Sequence, residues 1–176
     1  VNDLNTGGSY APGAGSSNAA IAAGRCISST NITEIWDGTS WTEVNDGAIG
    51  YSATYTGTVN AGLQAGCRSA GNHQPQVDTK EWNGTNWSAG GDLITAKADY
   101  AAMAGTQNAA KHMGGGGGAF AAPLYITDLV EDYNGTSFST ATSLPHCVHY
   151  TSGGGTQNAA IIAGGKSSNS NASAET

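Results

Sequence analysis

The chain has 176 residues, 27 of them glycine, with 13 acidic and 6 basic side chains and a formal net charge of −7. A length of this order suits one domain that buries about 70% of the surface its unfolded form exposes. So few cations argue against nucleic acid as a partner, and no apolar run nears the roughly 18 residues of a membrane span, which argues against membrane insertion.

Bulky aliphatics and Phe number only 23, so order must come from close packing of Gly and Ala backbone, which recur in phase. Taken in chain order, the first unit (1–44) holds Tyr10, the run GSSNAAIAAG (15–24), a polar loop (25–32) and EIWDGTSW (34–41). The second (45–90) repeats this as Tyr51, GTVNAGLQAG (57–66), the loop 67–77 and KEWNGTNW (80–87). The third (91–142) has Tyr100, GTQNAAKHMG (105–114), the loop 115–126 and EDYNGTSF (131–138). The fourth (143–176) carries Tyr150, GTQNAAIIAG (155–164) and the loop 166–173, and then lacks the last hairpin of its siblings.

Self-similarity at this period predicts a propeller, a solenoid or an array. Each unit reads as four short strands: one from the Tyr to the first Gly, the Ala-rich run, a third ending on an aromatic, and a fourth opening on another. The steps Asp37-Gly38, Asn83-Gly84 and Asn134-Gly135 predict tight hairpins between the last two. No segment carries helical periodicity. Four strands in about 45 residues is the size of a propeller blade. The Ala-rich run then suits the crowded neighbourhood of the hub, and Trp36, Trp41, Trp82, Trp87, Tyr133 and Phe138 are expected between blades.

These residues resemble the kelch repeat: a strand ending on Gly (Gly24, Gly66, Gly114, Gly164), a loop, an acidic-then-aromatic turn and a later aromatic. The resemblance implies a β-propeller-like array of about four antiparallel kelch-type blades, the last incomplete, forming a single repeat domain over 1–176. The chain departs from that pattern in its Ala richness and in the single Gly of the first two units. The phrase GTQNAA with its DGTSW-type turn also looks like tandem repeats of bacteriophage and environmental bacterial proteins. Val1-Asn2-Asp3 matches Val44-Asn45-Asp46, which follow a unit's last strand, so a longer chain or a neighbouring subunit is expected to complete the array.

The chemistry-bearing residues mostly follow the repeat. Glu34, Glu81, Glu131 and Asp132 recur with the repeat, which marks scaffold more than catalysis. The turns are similar to sialidase Asp-boxes with narrower spacing, but two arginines are too few to bind a carboxylated sugar as those enzymes do. Copper radical oxidases on kelch propellers need several His and Tyr ligands at one end. His146-Cys147-Val148-His149 lacks a second ligand pair, so no metal and no cofactor is expected. Gly114 to Gly118 has neither the Lys nor the strand–helix setting of a phosphate loop. His112 replaces a small residue of the Ala-rich strand, as a divergent position or a ligand contact at the hub. Cys26 and Cys67 follow the closing Gly of adjacent units; free buried thiols are the default and a bridge is the alternative. Five Asn-x-Ser/Thr triplets begin at Asn31, Asn83, Asn86, Asn134 and Asn171, in agreement with exposed turns.

The resulting expectation is a non-enzymatic structural or adhesion protein of a phage virion (fibre or decoration) or an extracellular fibre, with a virion or extracellular location. Its variable loops would contact a receptor or glycan, and its partners would be copies of itself, other structural subunits or surface glycans. Arg25, Arg68 and Lys166 follow the closing glycines within two residues and predict a sparse basic ring; His73 lies in a variable loop and joins them as a binding candidate. The alternative is a secreted carbohydrate-active enzyme or lectin-like propeller.

Overall fold

The computed structural model describes residues 2–9, 11–24, 31–50, 52–69, 74–98, 100–117 and 125–167; these form strands and turns, with no helix among them and so none able to cross a membrane. The strands assemble into four-stranded antiparallel sheets, as the repeat predicts. The first joins β1 (Gly13–Ser16), β2 (Ala19–Ala23), β3 (Thr33–Trp36) and β4 (Trp41–Val44) in chain order. The second joins β5 (Thr54–Gly57), β6 (Gly62–Arg68), β7 (Pro75–Trp82) and β8 (Trp87–Ala89) in the same order.

In the third, β9 (Ala102–Thr106), β10 (Ala109–Met113), β13 (Val130–Tyr133) and β14 (Phe138–Ala141) repeat the meander. Between them, part of the glycine-rich stretch read as loop pairs instead: β11 (Gly116–Gly117) lies against β12 (Tyr125–Ile126). The fourth unit supplies the hairpin β15 (Ser152–Thr156) and β16 (Ala159–Ala163). First strands of successive units lie against one another, β1 on β5, β5 on β9 and β9 on β15, so they form the inner seam. The Ala-rich run is one strand further out.

Each inter-unit layer is a small apolar cluster. Ile21 and Ala23 of the first sheet meet Tyr55 and Trp82 of the second. Leu63 and Ala65 of the second meet Met103, Tyr133 and Phe138 of the third. Period-two alternation makes this work: Ile21 and Leu63 face forward to the next unit, while Trp82 and Tyr133 face back. Trp82, Tyr133 and Phe138 therefore sit between units, with Trp87 half-buried beside Tyr55 (rings 6.3 Å apart). Trp36 and Trp41 do not. They face away from the second sheet, on the side where no described unit lies, and stack on each other at 5.5 Å as Trp82 and Trp87 do at 5.3 Å; Trp36 is nonetheless buried.

The closing glycines have a double reason. Gly24, Gly66 and Gly114 adopt φ of 74°, 62° and 65°, and a Cβ there would overlap the carbonyl of Ile49, Lys97 or Val148 in the next connection. The tight hairpins form at the predicted Asx-Gly steps. Only the glycines (Gly38, Gly84, Gly135) take positive φ; the loop has four residues, and its first side chain closes it. Asp37 Oδ1 accepts from the Thr39 and Ser40 amides at 2.7 and 2.8 Å. Asn83 does the same to Thr85 and Asn86 (3.0 and 2.8 Å), and Asn134 to Thr136 and Ser137 (both 3.0 Å). Asx side chains favour such turns because they replace a backbone acceptor.

Candidate functional site

Because each sheet is an antiparallel meander, its strand 1–2 and strand 3–4 turns lie at one end. The strand 2–3 loops and the connections into the next unit lie at the other. The variable loops therefore share an end with the starts of the four first strands. At that end the seam opens into a cavity of about 280 Å³ lined by all four units, through Pro12, Tyr55, Tyr100, Met103 and Thr151 among mostly small residues. Entry to the first strand is made by a left-handed non-glycine residue in three units: Ser52 (φ 62°), Tyr100 (56°) and Tyr150 (56°). The structural partner of these tyrosines in the second unit is thus Ser52, five residues before its anchor glycine Gly57 as Tyr100 and Tyr150 are before Gly105 and Gly155, whereas Tyr51 is six before it. Three like outliers at one repeat position hold side chains in a fixed direction despite a strain of about 1–3 kcal/mol each.

The consequence is an aromatic ledge beside the cavity. Tyr100 and Tyr150 stack with centroids 4.7 Å apart and planes at 26°, and Tyr150 stays 49% exposed. Lys166 Nζ lies 5.5 Å from the Tyr150 ring centre, and the His149 ring 4.5 Å from it. A second cavity of about 410 Å³ opens at the same end between the first two units, lined by Asn31, Arg68, Ser69, Gln76, Asp78 and Lys80 among others.

Of the predicted binding residues, Arg25 and His73 lie outside the described residues, as does Cys26. Arg68 and Lys166 both stand two residues after a closing glycine, but Arg68 is only 4% exposed, in β6, and offers no open cation. Cys67 is a free, buried thiol with its pKa pushed up to about 12 by burial and then by Asp78. His146 is exposed and His149 buried; no group of three metal-ligating residues occurs among the described residues.

The recurring acids are committed to the scaffold. Glu34 accepts from the Asn5 and Thr6 amides at 2.9 and 3.0 Å. At the same repeat position Glu131 accepts from Ile94 and Thr95 at 2.8 and 3.2 Å and pairs with Lys97 Nζ at 3.0 Å. Each carboxylate thus anchors the segment that leads into its own unit. Glu81 accepts from the Tyr133 hydroxyl at 2.6 Å, joining two units; burial and then this bond raise the Tyr133 pKa to about 12. Asp132 pairs with Lys111.

His112 is not at the hub. It is 1% exposed between the second and third units, at the repeat position Gln64 holds in the second, and its Nδ1 has no hydrogen-bond partner among the described residues. Burial, then the nearby Lys97 ammonium, holds its pKa well below the usual histidine value. Burial likewise lowers Lys97, against the opposing pull of Glu131.

The sequence reading overlooked the glutamine of GTQNAA. Gln107 Nε2 donates to the Gly62 and Trp82 carbonyls (3.2 and 2.9 Å), and Gln157 Nε2 to those of Ala110 and Tyr133 (2.9 and 2.8 Å). Each amide bridges a register pair on strands two and three of the preceding sheet. Its recurrence in two units was the available signal.

No protein-family model and no curated protein matches the chain. Among solved structures it is similar to one described as the structure of YjhT, with a TM-score of 0.76 and 12% identity over 96% of this chain and 61% of that one. At that identity the likeness shows the fold alone, and this chain spans about three fifths of that structure's length.

Proposed function

We propose that the chain is a non-enzymatic adhesion and structural module of a phage particle or another extracellular fibre. In this reading it is an arc of about four kelch-like propeller blades whose loop-bearing end binds a neutral glycan. The observation that carries it is the Tyr100–Tyr150 ledge beside an open cavity at the end where the described strands run into the variable loops. A sugar's apolar face stacks on an exposed ring, and the backbone groups of four strand starts supply hydrogen bonds to its hydroxyls. Support against catalysis comes from the recurring acids, each held by backbone amides, a tyrosine hydroxyl or a lysine.

The test is a glycan array followed by calorimetry, for the native chain and Tyr150→Ala. Binding to neutral glycans should persist at about 0.5 M salt, where exposed charges beyond roughly 4–5 Å are screened, and should be lost in the variant. Binding restricted to sulfated or sialylated glycans and abolished by that salt refutes a neutral ligand. Turnover of any bound glycan refutes the non-enzymatic reading.

A further inference from the structure

One position of the repeat changes sign in the second unit. Glu34 pairs in register with Ala22, and Glu131 with His112; at the same register position of the second sheet Lys80 pairs with Gln64. Each glutamate accepts the amides of the residues two and three places after an aspartate: Asn5 and Thr6 after Asp3, Ile94 and Thr95 after Asp92. In the second unit those residues are Ala48 and Ile49, after Asp46. Asp46 and Asp92 are true counterparts, accepting the Thr33 and Thr79 amides at 3.1 and 3.2 Å. A lysine cannot accept a hydrogen bond. Gln64 Oε1 takes the Ile49 amide at 2.8 Å, and among the described residues no acceptor meets the Ala48 amide. Ala48 is 1% exposed, and buried backbone donors are nearly always paired.

The same place is open. Ala48 and Lys80 both line the cavity of about 410 Å³ between the first two units, whose size falls in the range of roughly 300–1,000 Å³ of small-ligand sites. Lys80 is half-buried and has no ion pair among the described residues, whereas Lys97 and Lys111 each have one. Gln76 and Asp78 share its face of β7 by period-two alternation and line the same cavity. Gln76 Nε2 donates to the Gln74 and Pro75 carbonyls, so its oxygen and the carboxylate of exposed Asp78 are the acceptors of that row. Buried Arg68 adds positive charge to the lining.

We propose that this cavity binds a small polyhydroxylated carboxylate, a sugar acid, whose carboxylate stands in for the glutamate missing from the second unit. One of its oxygens accepts from the Ala48 amide and the other from Lys80 Nζ. Glu131 does the same within the chain, with Oε2 on the Ile94 amide and Oε1 on Lys97 Nζ. Asp78 and Gln76 accept from the ligand's hydroxyls. The site is separate from the Tyr100–Tyr150 ledge and stands whether or not the ledge binds a neutral glycan.

Calorimetry with glucuronate as the probe and glucose as its neutral control tests this, in a Tyr150→Ala background that silences the ledge. Glucuronate should bind that protein and glucose should not. Adding Lys80→Gln should weaken glucuronate binding about 10-fold or more, the loss expected for one charge-assisted contact. Lys80→Glu installs the residue of the sibling units. It should abolish binding and raise the urea midpoint, because its own carboxylate then meets the Ala48 amide, and a gain in stability cannot come from misfolding. In nuclear magnetic resonance the Ala48 amide proton should shift as glucuronate is added. No glucuronate binding, equal binding of glucose, binding unchanged in Lys80→Gln, or an Ala48 amide that does not respond would each overturn the proposal.

Discussion

Acid should loosen the layer between the second and third units through His112. Its imidazole is buried, its Nδ1 is unpartnered, and Lys97 and Glu131 are the charged groups facing it. The folded-state pKa lies well below the unfolded value of 6.5, so below 6.5 the unfolded chain binds a proton that the folded chain refuses. Stability is then full above that pH and falls as pH drops, by about 1.4 kcal/mol per unit while the folded imidazole stays neutral. Between pH 6.5 and the folded pKa this amounts to roughly 0.7 M in urea midpoint per pH unit, for a slope of about 2 kcal/mol/M. The control is His112→Gln, because Gln64 occupies this slot in the second unit and accepts the Ile49 amide there at 2.8 Å. Urea titrations of both proteins over this range isolate the effect, since the other histidines cancel in the difference. An unchanged pH slope in His112→Gln would refute the assignment.

Gln107→Ala should cost about 1–3 kcal/mol in urea unfolding, because two carbonyls of the preceding sheet lose their shared donor. Asn83→Ala should cost about 1–2 kcal/mol through the two amides it leaves unpaired, and Asn83→Asp much less, since Asp37 fills this role in the first unit. Alkylation of the native protein should label exposed Cys147 and spare Cys67 until denaturant is added, read by peptide mass spectrometry. Gly66→Ala should destabilise by more than about 1 kcal/mol, because it combines positive φ with overlap on the Lys97 carbonyl.

What the sequence made legible was whatever the repeat wrote three or four times with one physical cause. The anchor and closing glycines, the Ala-rich strand and the aromatic hairpin follow from backbone clearance and period-two packing, which act within a unit. The mistaken details needed knowledge of a neighbour. Trp36 and Trp82 are the same letter in the same phrase and each stacks on the next aromatic, yet Trp82 packs on Ile21 of the preceding unit while Trp36 joins no inter-unit cluster among the described residues. The Asp37-Gly38 step marked the hairpin, but not that the Asp37 side chain closes it over the Thr39 and Ser40 amides in a four-residue loop.

The candidate site was less legible for a related reason. A left-handed tyrosine cannot be told from an extended one by its letter, and Ser52 in the same slot removes the pattern that would have exposed it. Buried polar residues mislead in the opposite direction. Arg68, Lys97, His112 and Glu131 have the side chains of a reactive centre, but their surroundings are those of a joint between sheets. A joint demands one polar partner per buried polar atom, and a site must leave one over. Glu131 spends both oxygens on Ile94, Thr95 and Lys97. Among the described residues Lys97 Nζ has its ion pair with Glu131 but no hydrogen-bond partner, and His112 Nδ1 has neither; with 1% exposure that nitrogen has no path to a ligand, so its consequence is pH-dependent stability.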